Sequence, residues 1–219
     1  SVLQTLFKEF EFHGLMRQFS EMEQEEKTKK KKAEKSYNVI TSRSELNQFL
    51  SKIKEDTWLS IDLETTSVKT MEAEIVGLSF SIEQDSGIYI PIRHKDKSSQ
   101  YFGENELEEV ITLIKPVLEN PRIPKTGQNV KYDILILNRF GIQVKGIEFD
   151  TMIAAHLLQP GSRSYKLDKL SEEYLSYTMV PIDQLIGTGK TQISMAEVGL
   201  EDISFYAVED ADIALQLTH

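Results

Sequence analysis

Three apolar runs, WLSIDLE, EIVGLSFSI and GIYIPI, follow one another between Trp58 and Ile92 with no helical segment between them. Strands joined by links shorter than a crossover pair antiparallel, because a parallel return needs a dozen or more residues. The runs therefore predict an antiparallel meander. A short run, YNVI, and a helix over Ser44–Ile53 precede it. After it, apolar spacing of three and four predicts helices over Glu104–Leu118, Val130–Phe140, Thr151–Leu158, Leu167–Tyr174 and Asp202–Leu217. Short strands are expected at Ile123–Lys125 and Gly146–Phe149. Strands and helices in this order predict an α/β fold, a mixed β-sheet flanked by helices.

With 219 residues, 40% of them hydrophobic, the chain supports one sizeable core and an appendage. The appendage is N-terminal. EMEQEEKTKKKKAEKS, residues 21 to 36, cannot bury a face and reads as a solvated linker behind a short apolar stretch, Leu3 to Phe19. The glutamates around Lys29 to Lys32 favour a tether over a nucleic-acid patch. No apolar run reaches the roughly 18 residues needed to span a bilayer, and the N-terminus lacks signal-peptide order. A soluble, intracellular protein with no membrane contact is expected. With no cysteine, disulfides, thiolate metal sites and cysteine nucleophiles are excluded, so a metal must be held by oxygen or by the four histidines. A net charge of -10 argues against holding long nucleic acid by backbone electrostatics alone. It leaves open a nuclease whose acids attract cations that in turn attract phosphate.

Acids recur where an apolar residue is expected. On the strand WLSIDLE, Asp62 and Glu64 share one face and Ile61 and Leu63 the other. An isolated D-x-E is more often a solvent-facing strand than a site; the apolar context argues for a strand inside the sheet presenting the pair at a cleft. In GQNVKYDILILNRFG, Asn129 and Asp133 are i and i+4 on one helix side. Asn129 also suits an N-cap, which leaves Asp133 without a capping role. In EDISFYAVEDADIALQL, Asp210 interrupts a stripe of Ile203, Tyr206, Ala207, Ile213, Ala214 and Leu217. A charge on a buried face must be paired or bind metal. Tyr206 lies one turn earlier on that face, where a core aromatic is the plain alternative. Asp150 reads as an N-cap, Asp212 as lying on the outer side of its helix, and His156 as a core residue. Asp168 is given no role.

In order and spacing, Asp62-x-Glu64, Asn129-x-x-Tyr132-Asp133 and Tyr206-x-x-x-Asp210 resemble the three exonuclease motifs of the DEDD superfamily, in its tyrosine branch. IVGLSFSI, YIPI, KTGQNVKYD, GIEFDTMIAAHLL and YAVEDADIALQL further resemble the 3′-5′ proofreading domain of the family A, bacterial DNA polymerase I type polymerases. That resemblance covers residues 36–219. Val2 to Phe12 resembles the end of the 5′ nuclease domain that precedes it in that family, so 1–35 is expected to be a remnant of that domain plus linker, and a polymerase domain of the same full-length chain is the expected partner.

The resemblance implies a ribonuclease H-like fold and a monomeric bacterial cytoplasmic enzyme that trims the single-stranded 3′ end of DNA. It implies two divalent ions, Mg²⁺ or Mn²⁺, held by Asp62, Glu64, Asp133 and Asp210. Asp62 would bridge them, Glu64 and Asp210 would bind the ion that activates water, and Asp133 would serve the other through water. Tyr206 and Glu64 would orient the water, since a tyrosine with a pKa near 10 is a poor base at neutral pH. Thr65, Val68, Gln128, Asn129, Tyr132 and Met195 match substrate-contacting positions. The family commonly has leucine where Val68 stands and phenylalanine where Met195 stands, which puts wedging and stacking of the terminal bases in doubt. Three alternatives stay open: an RNase D-like exoribonuclease, a non-catalytic spacer of a polymerase, and a metal-binding regulatory module.

Overall fold

The structure is a computed structural model that describes residues 35–94 and 105–219. All but the last residue of the N-terminal remnant and linker expected over 1–35, and the predicted start of a helix at residue 104, lie outside the described residues. Ser36–His219 forms one compact unit.

The chain runs β1 (Ser36–Val39), α1 (Arg43–Leu50), β2 (Leu59–Thr65), β3 (Ile75–Glu83), β4 (Ser86–Pro91), α2 (Glu106–Leu118), β5 (Lys125–Thr126), α3 (Val130–Arg139), α4 (Thr151–Leu158), α5 (Leu167–Leu175), α6 (Ile182–Ile186) and α7 (Leu200–Thr218). Short 3₁₀ turns at Gly189–Thr191 and Met195–Glu197 link α6 to α7. The sheet order is β1-β4-β3-β2-β5. The expected meander is its centre: β2 pairs antiparallel with β3, and β3 with β4. The edges β1 and β5 join in parallel, making the sheet mixed.

Alternation along β2 sorts its side chains between two layers. Leu59, Ile61 and Leu63 enter a core with Leu46 and Phe49 of α1, Val110 and Ile114 of α2, and Ile136 and Leu137 of α3. Ser60, Asp62 and Glu64 lie on the opposite face, where their partners on β3 are Ser81, Ser79 and Gly77. Glycines on this face leave room for what packs on it: a Cβ on Gly87 of β4 would stand 2.5 Å from Val208 Cγ1 of α7, and one on Gly77 would overlap the Tyr89 hydroxyl. Val76 and Tyr89 complete this second core with Ile203, Ala207 and Val208.

Where sequence periodicity predicts one apolar stripe on the last helix, α7 is buried around most of its circumference. It is sandwiched, with the sheet on one side and Leu167 of α5 and Met179 packed on Ile213 and Ala214 on another. Asp212 is therefore not on an outer side; it is fully buried. Its carboxylate accepts from the Tyr37 hydroxyl at 2.5 Å, the Asp85 amide at 3.0 Å and Gln216 Nε2 at 2.9 Å. Glu209, equally buried, accepts from the Tyr177 hydroxyl at 2.6 Å and the Val180 amide at 2.7 Å. These bonds offset the desolvation of the two carboxylates and fix the rotation of α7 against β1 and the α5–α6 loop.

The other departures are small. The strand predicted over Gly146–Phe149 shrinks to a single bridge between Lys125 and Ile147, and the strand predicted over Ile123–Lys125 forms at Lys125–Thr126. His156 is exposed rather than in the core, with its ring edge-on to Tyr165 at 5.1 Å; α4 buries only Thr151 and Ala155. Among the described residues, no helix is long and apolar enough to cross a membrane.

Candidate active site

β2 and α7 cross where their acids lie. One carboxylate oxygen each from Asp62, Glu64 and Asp210 falls within a sphere of mutual distances no longer than 4.8 Å. Glu64 is buried, and Asp62 and Asp210 are half-buried. Asp133, on the first turn of α3 and 3% exposed, stands beside this triplet. It feels the charges of Asp62 and Glu64, with the Leu63 backbone acting against them.

Like charges this close, out of water, cannot all ionise unaided. Burial pushes the Asp62 carboxyl up to about 7. Burial, and then the charge of Asp62, holds Glu64 well above the usual carboxylate range. Asp210 is raised by burial and then by Asp62 and Glu64, with the neighbouring Tyr206 hydroxyl acting the other way. Asp133 is raised by burial, then by Asp62 and Glu64. Protons or cations would relieve that repulsion. The quartet's donors are all hard oxygens, and a chain without cysteine offers no thiolate, so the donor set suits Mg²⁺ or Mn²⁺.

Tyr206 lies one turn before Asp210 on α7, and the charge of Asp210, followed by burial, drives the phenol pKa far upward. The hydroxyl keeps its proton, so it serves as a donor and not as a base.

The rim residues divide. The Tyr132 hydroxyl lies 2.6 Å from Thr65 Oγ1 and donates to the Ser67 carbonyl, tying α3 to the end of β2. Val68, in the following loop, is 90% exposed. Gln128 faces inward: its amide donates to the Tyr165 carbonyl at 2.8 Å and its oxygen accepts from Thr151 Oγ1. Asn129 occupies the N-cap position of α3 in a left-handed conformation, φ 55°, yet makes no side-chain cap bond. The cap comes from Asp150, which accepts from the Asn129 and Val130 amides at 3.2 and 2.8 Å and from Met152 and Ile153 at the start of α4. Asp150 thus is the N-cap the sequence predicts and also the clamp joining two helices. Met195 packs, half-buried, against the Val76–Tyr89–Ile203 core. Sequence reasoning passed over Tyr89, which feels the charges of Glu64 and Asp62 from within the sheet; its register opposite Ser79, itself opposite Asp62, was the available signal.

The mixed sheet, in which β2, next to the edge strand β5, and the last helix α7 bring three acids together with a fourth from α3, has a ribonuclease H-like fold. Escherichia coli RNase D superposes with a TM-score of 0.62 at 19% identity over 84% of this chain and 43% of its own. Brucella melitensis NrnC superposes at 0.59 with 16% identity over 84% and 78%. Residues 37–219 match the 3′-5′ exonuclease model of the DNA polymerase A type, and the chain belongs to that family. It is 31% identical to DNA polymerase I of Pseudomonas aeruginosa, over 97% of this chain and 24% of the relative. It is 35% identical to that of Chloroflexus aurantiacus over 82% and 18%, and 36% identical to that of Borreliella burgdorferi over 83% and 19%. The chain thus spans a quarter or less of the length of these relatives.

Proposed function

We propose that this domain removes nucleotides from the 3′ end of single-stranded or frayed DNA by hydrolysis, as the proofreading module of a longer bacterial polymerase chain working in the cytoplasm. The observation that carries this reading is the convergence of Asp62, Glu64 and Asp210 within 4.8 Å in a member of this exonuclease family. The likeness to DNA polymerase I, not to the fold neighbours, favours DNA.

Asp62, Glu64 and Asp210 would hold one divalent ion, and Asp62 with Asp133 a second. Such a pair, when bound, supplies charge neutralisation at the scissile phosphate and acidifies water. The rest falls to the chain. Tyr206, locked as a donor, and Glu64 orient the attacking water in line with the departing 3′ oxygen. The water oxygen bonds to phosphorus, the P–O3′ bond breaks, and the 3′ oxygen leaves with a proton, giving a nucleoside 5′-monophosphate and a DNA shorter by one. Thr65, Tyr132 and Asn129 would line the terminal nucleotide, with Gln128 behind them holding the Tyr165 carbonyl and Thr151, while Val68 and Met195 would meet the bases of the 3′ end. Met195 fills a thioether where a flat ring would stack, so base stacking is weaker than an aromatic provides, by about 1 kcal/mol or more.

The test uses end-labelled single-stranded DNA and RNA of one sequence with Mg²⁺. DNA trimming from the 3′ end, faster than RNA trimming, is expected. RNA as the preferred substrate would replace this reading with the exoribonuclease one, and cleavage of neither would leave a non-catalytic module.

A further inference from the structure

The loop between β2 and β3 is fixed to an unusual degree for an exposed connection. Its neck is closed by the Thr66 amide on the Glu74 carbonyl and the Glu74 amide on Thr66 Oγ1, each at 3.0 Å. Inside it, Lys69 O accepts from the Glu72 and Ala73 amides at 2.9 Å. From outside, α3 holds it twice. Tyr132 takes the Ser67 carbonyl, and Arg139 Nη1 donates to the Thr70 and Ala73 carbonyls, both at 2.7 Å. Arg139 Nη2 also lies 3.9 Å from Glu74, which Arg93 pairs at 2.9 Å. Tyr132 and Arg139 are two turns apart on α3, about 10 Å, so together they resist rotation of the loop as well as its withdrawal.

This rigid loop presents two large apolar side chains to solvent: Val68 is 90% exposed and Met71 78%. Connections at a surface ordinarily carry polar residues at such positions, and apolar groups held fixed and uncovered beside a site suit a ligand with apolar faces. Nucleobases are such a ligand.

We propose that Arg139 is a positioning residue for nucleic-acid binding: it locks the loop to the helix that carries Asp133, so that Val68 and Met71 meet the bases of the 3′ end at a fixed distance from the carboxylates. This rests on the proposed function. Arg139 touches no reacting atom. Its Nη1 serves two carbonyls while Nη2 faces Glu74, a spread that a lysine ammonium, with its donors on one atom, does not match.

Two substrates separate this role from a general structural one: single-stranded DNA, and the p-nitrophenyl ester of thymidine 5′-monophosphate, which has no neighbouring base to wedge. With Mg²⁺, Arg139→Ala is expected to raise KM for DNA about tenfold, the scale of one lost base contact, while the ester's KM moves far less. Arg139→Lys should recover part of the loss. The surface double variant Val68→Ala/Met71→Ala, which disturbs no core, should reproduce the same DNA-specific rise. Parallel losses on both substrates, or an unmoved KM for DNA in Arg139→Ala and in the double variant, overturn the role of Arg139. A wild-type chain inactive on both substrates would overturn the proposed function itself, and this role with it.

Discussion

Tyr206 stands one turn before Asp210 on α7, and the charge of that carboxylate is the largest influence on its hydroxyl. That proximity keeps the phenol protonated, and the hydroxyl acts on the carboxylate against the raising effect of Asp62 and Glu64. Tyr206→Phe removes the donor and leaves the carboxylates in place. It should lower kcat on the order of 10²-fold with KM little changed, as expected for a group that acts on the reacting water. Steady-state kinetics on single-stranded DNA decides it; a change confined to KM would assign Tyr206 to binding.

Carboxylates gathered for chemistry cost stability when no cation is present. Asp62→Asn removes one charge from the quartet without changing its shape. In EDTA it should raise the melting temperature by a few degrees, at roughly 2–4 °C per kcal/mol for a domain this size, while cutting trimming on the order of 10³-fold. A variant less stable than the wild type in EDTA would mean that the acids support the fold rather than strain it.

The same acids set the pH dependence. Their folded pKa values lie above the unfolded ones, about 7 for Asp62 against roughly 4 for a free aspartate. The folded state therefore holds more protons than the unfolded one between those values, and stability falls as pH rises through that window. Metal-free melts should be lower at pH 8 than at pH 5.5, and Mg²⁺ should restore stability at pH 8 far more than at pH 5.5. Melts in EDTA that rise steadily from pH 5 to 8 would contradict the raised values.

Asp212 lies two residues beyond the site and has a different task. Asp212→Ala removes the buried carboxylate that accepts from the half-buried Tyr37 hydroxyl and the Asp85 amide, at a cost of about 2 kcal/mol. Urea unfolding should show that loss in its midpoint, and Tyr37→Phe a smaller one. An unshifted midpoint in both would remove Asp212 from the account of how α7 is held.

Local patterns carried much of this molecule into view. The meander was legible because three short-linked β runs admit one pairing, and Asp62 and Glu64 because alternation on a strand puts i and i+2 on one face. Asp210 was legible as a charge in an apolar stripe. Long-range relations were not. A stripe count assumes one buried face, so it placed Asp212 outside, whereas α5 and the sheet cover α7 from two sides. Edge strand β5 has two residues, and its place is set by pairing with β2 rather than by its own pattern. The anchoring of the β2–β3 loop by Arg139 joins residues 66 and 69 positions apart, a distance no periodicity reaches.

The most direct measurement is a time course on 5′-labelled single-stranded DNA in Mg²⁺ and ¹⁸O-water, with EDTA and the Asp62→Ala/Asp210→Asn double variant alongside. The account predicts a ladder shortening one nucleotide at a time from the 3′ end, ¹⁸O in the released 5′-monophosphates, and no shortening in either control. An intact oligonucleotide with the wild-type chain, or trimming that survives the chelator or the double variant, would contradict it.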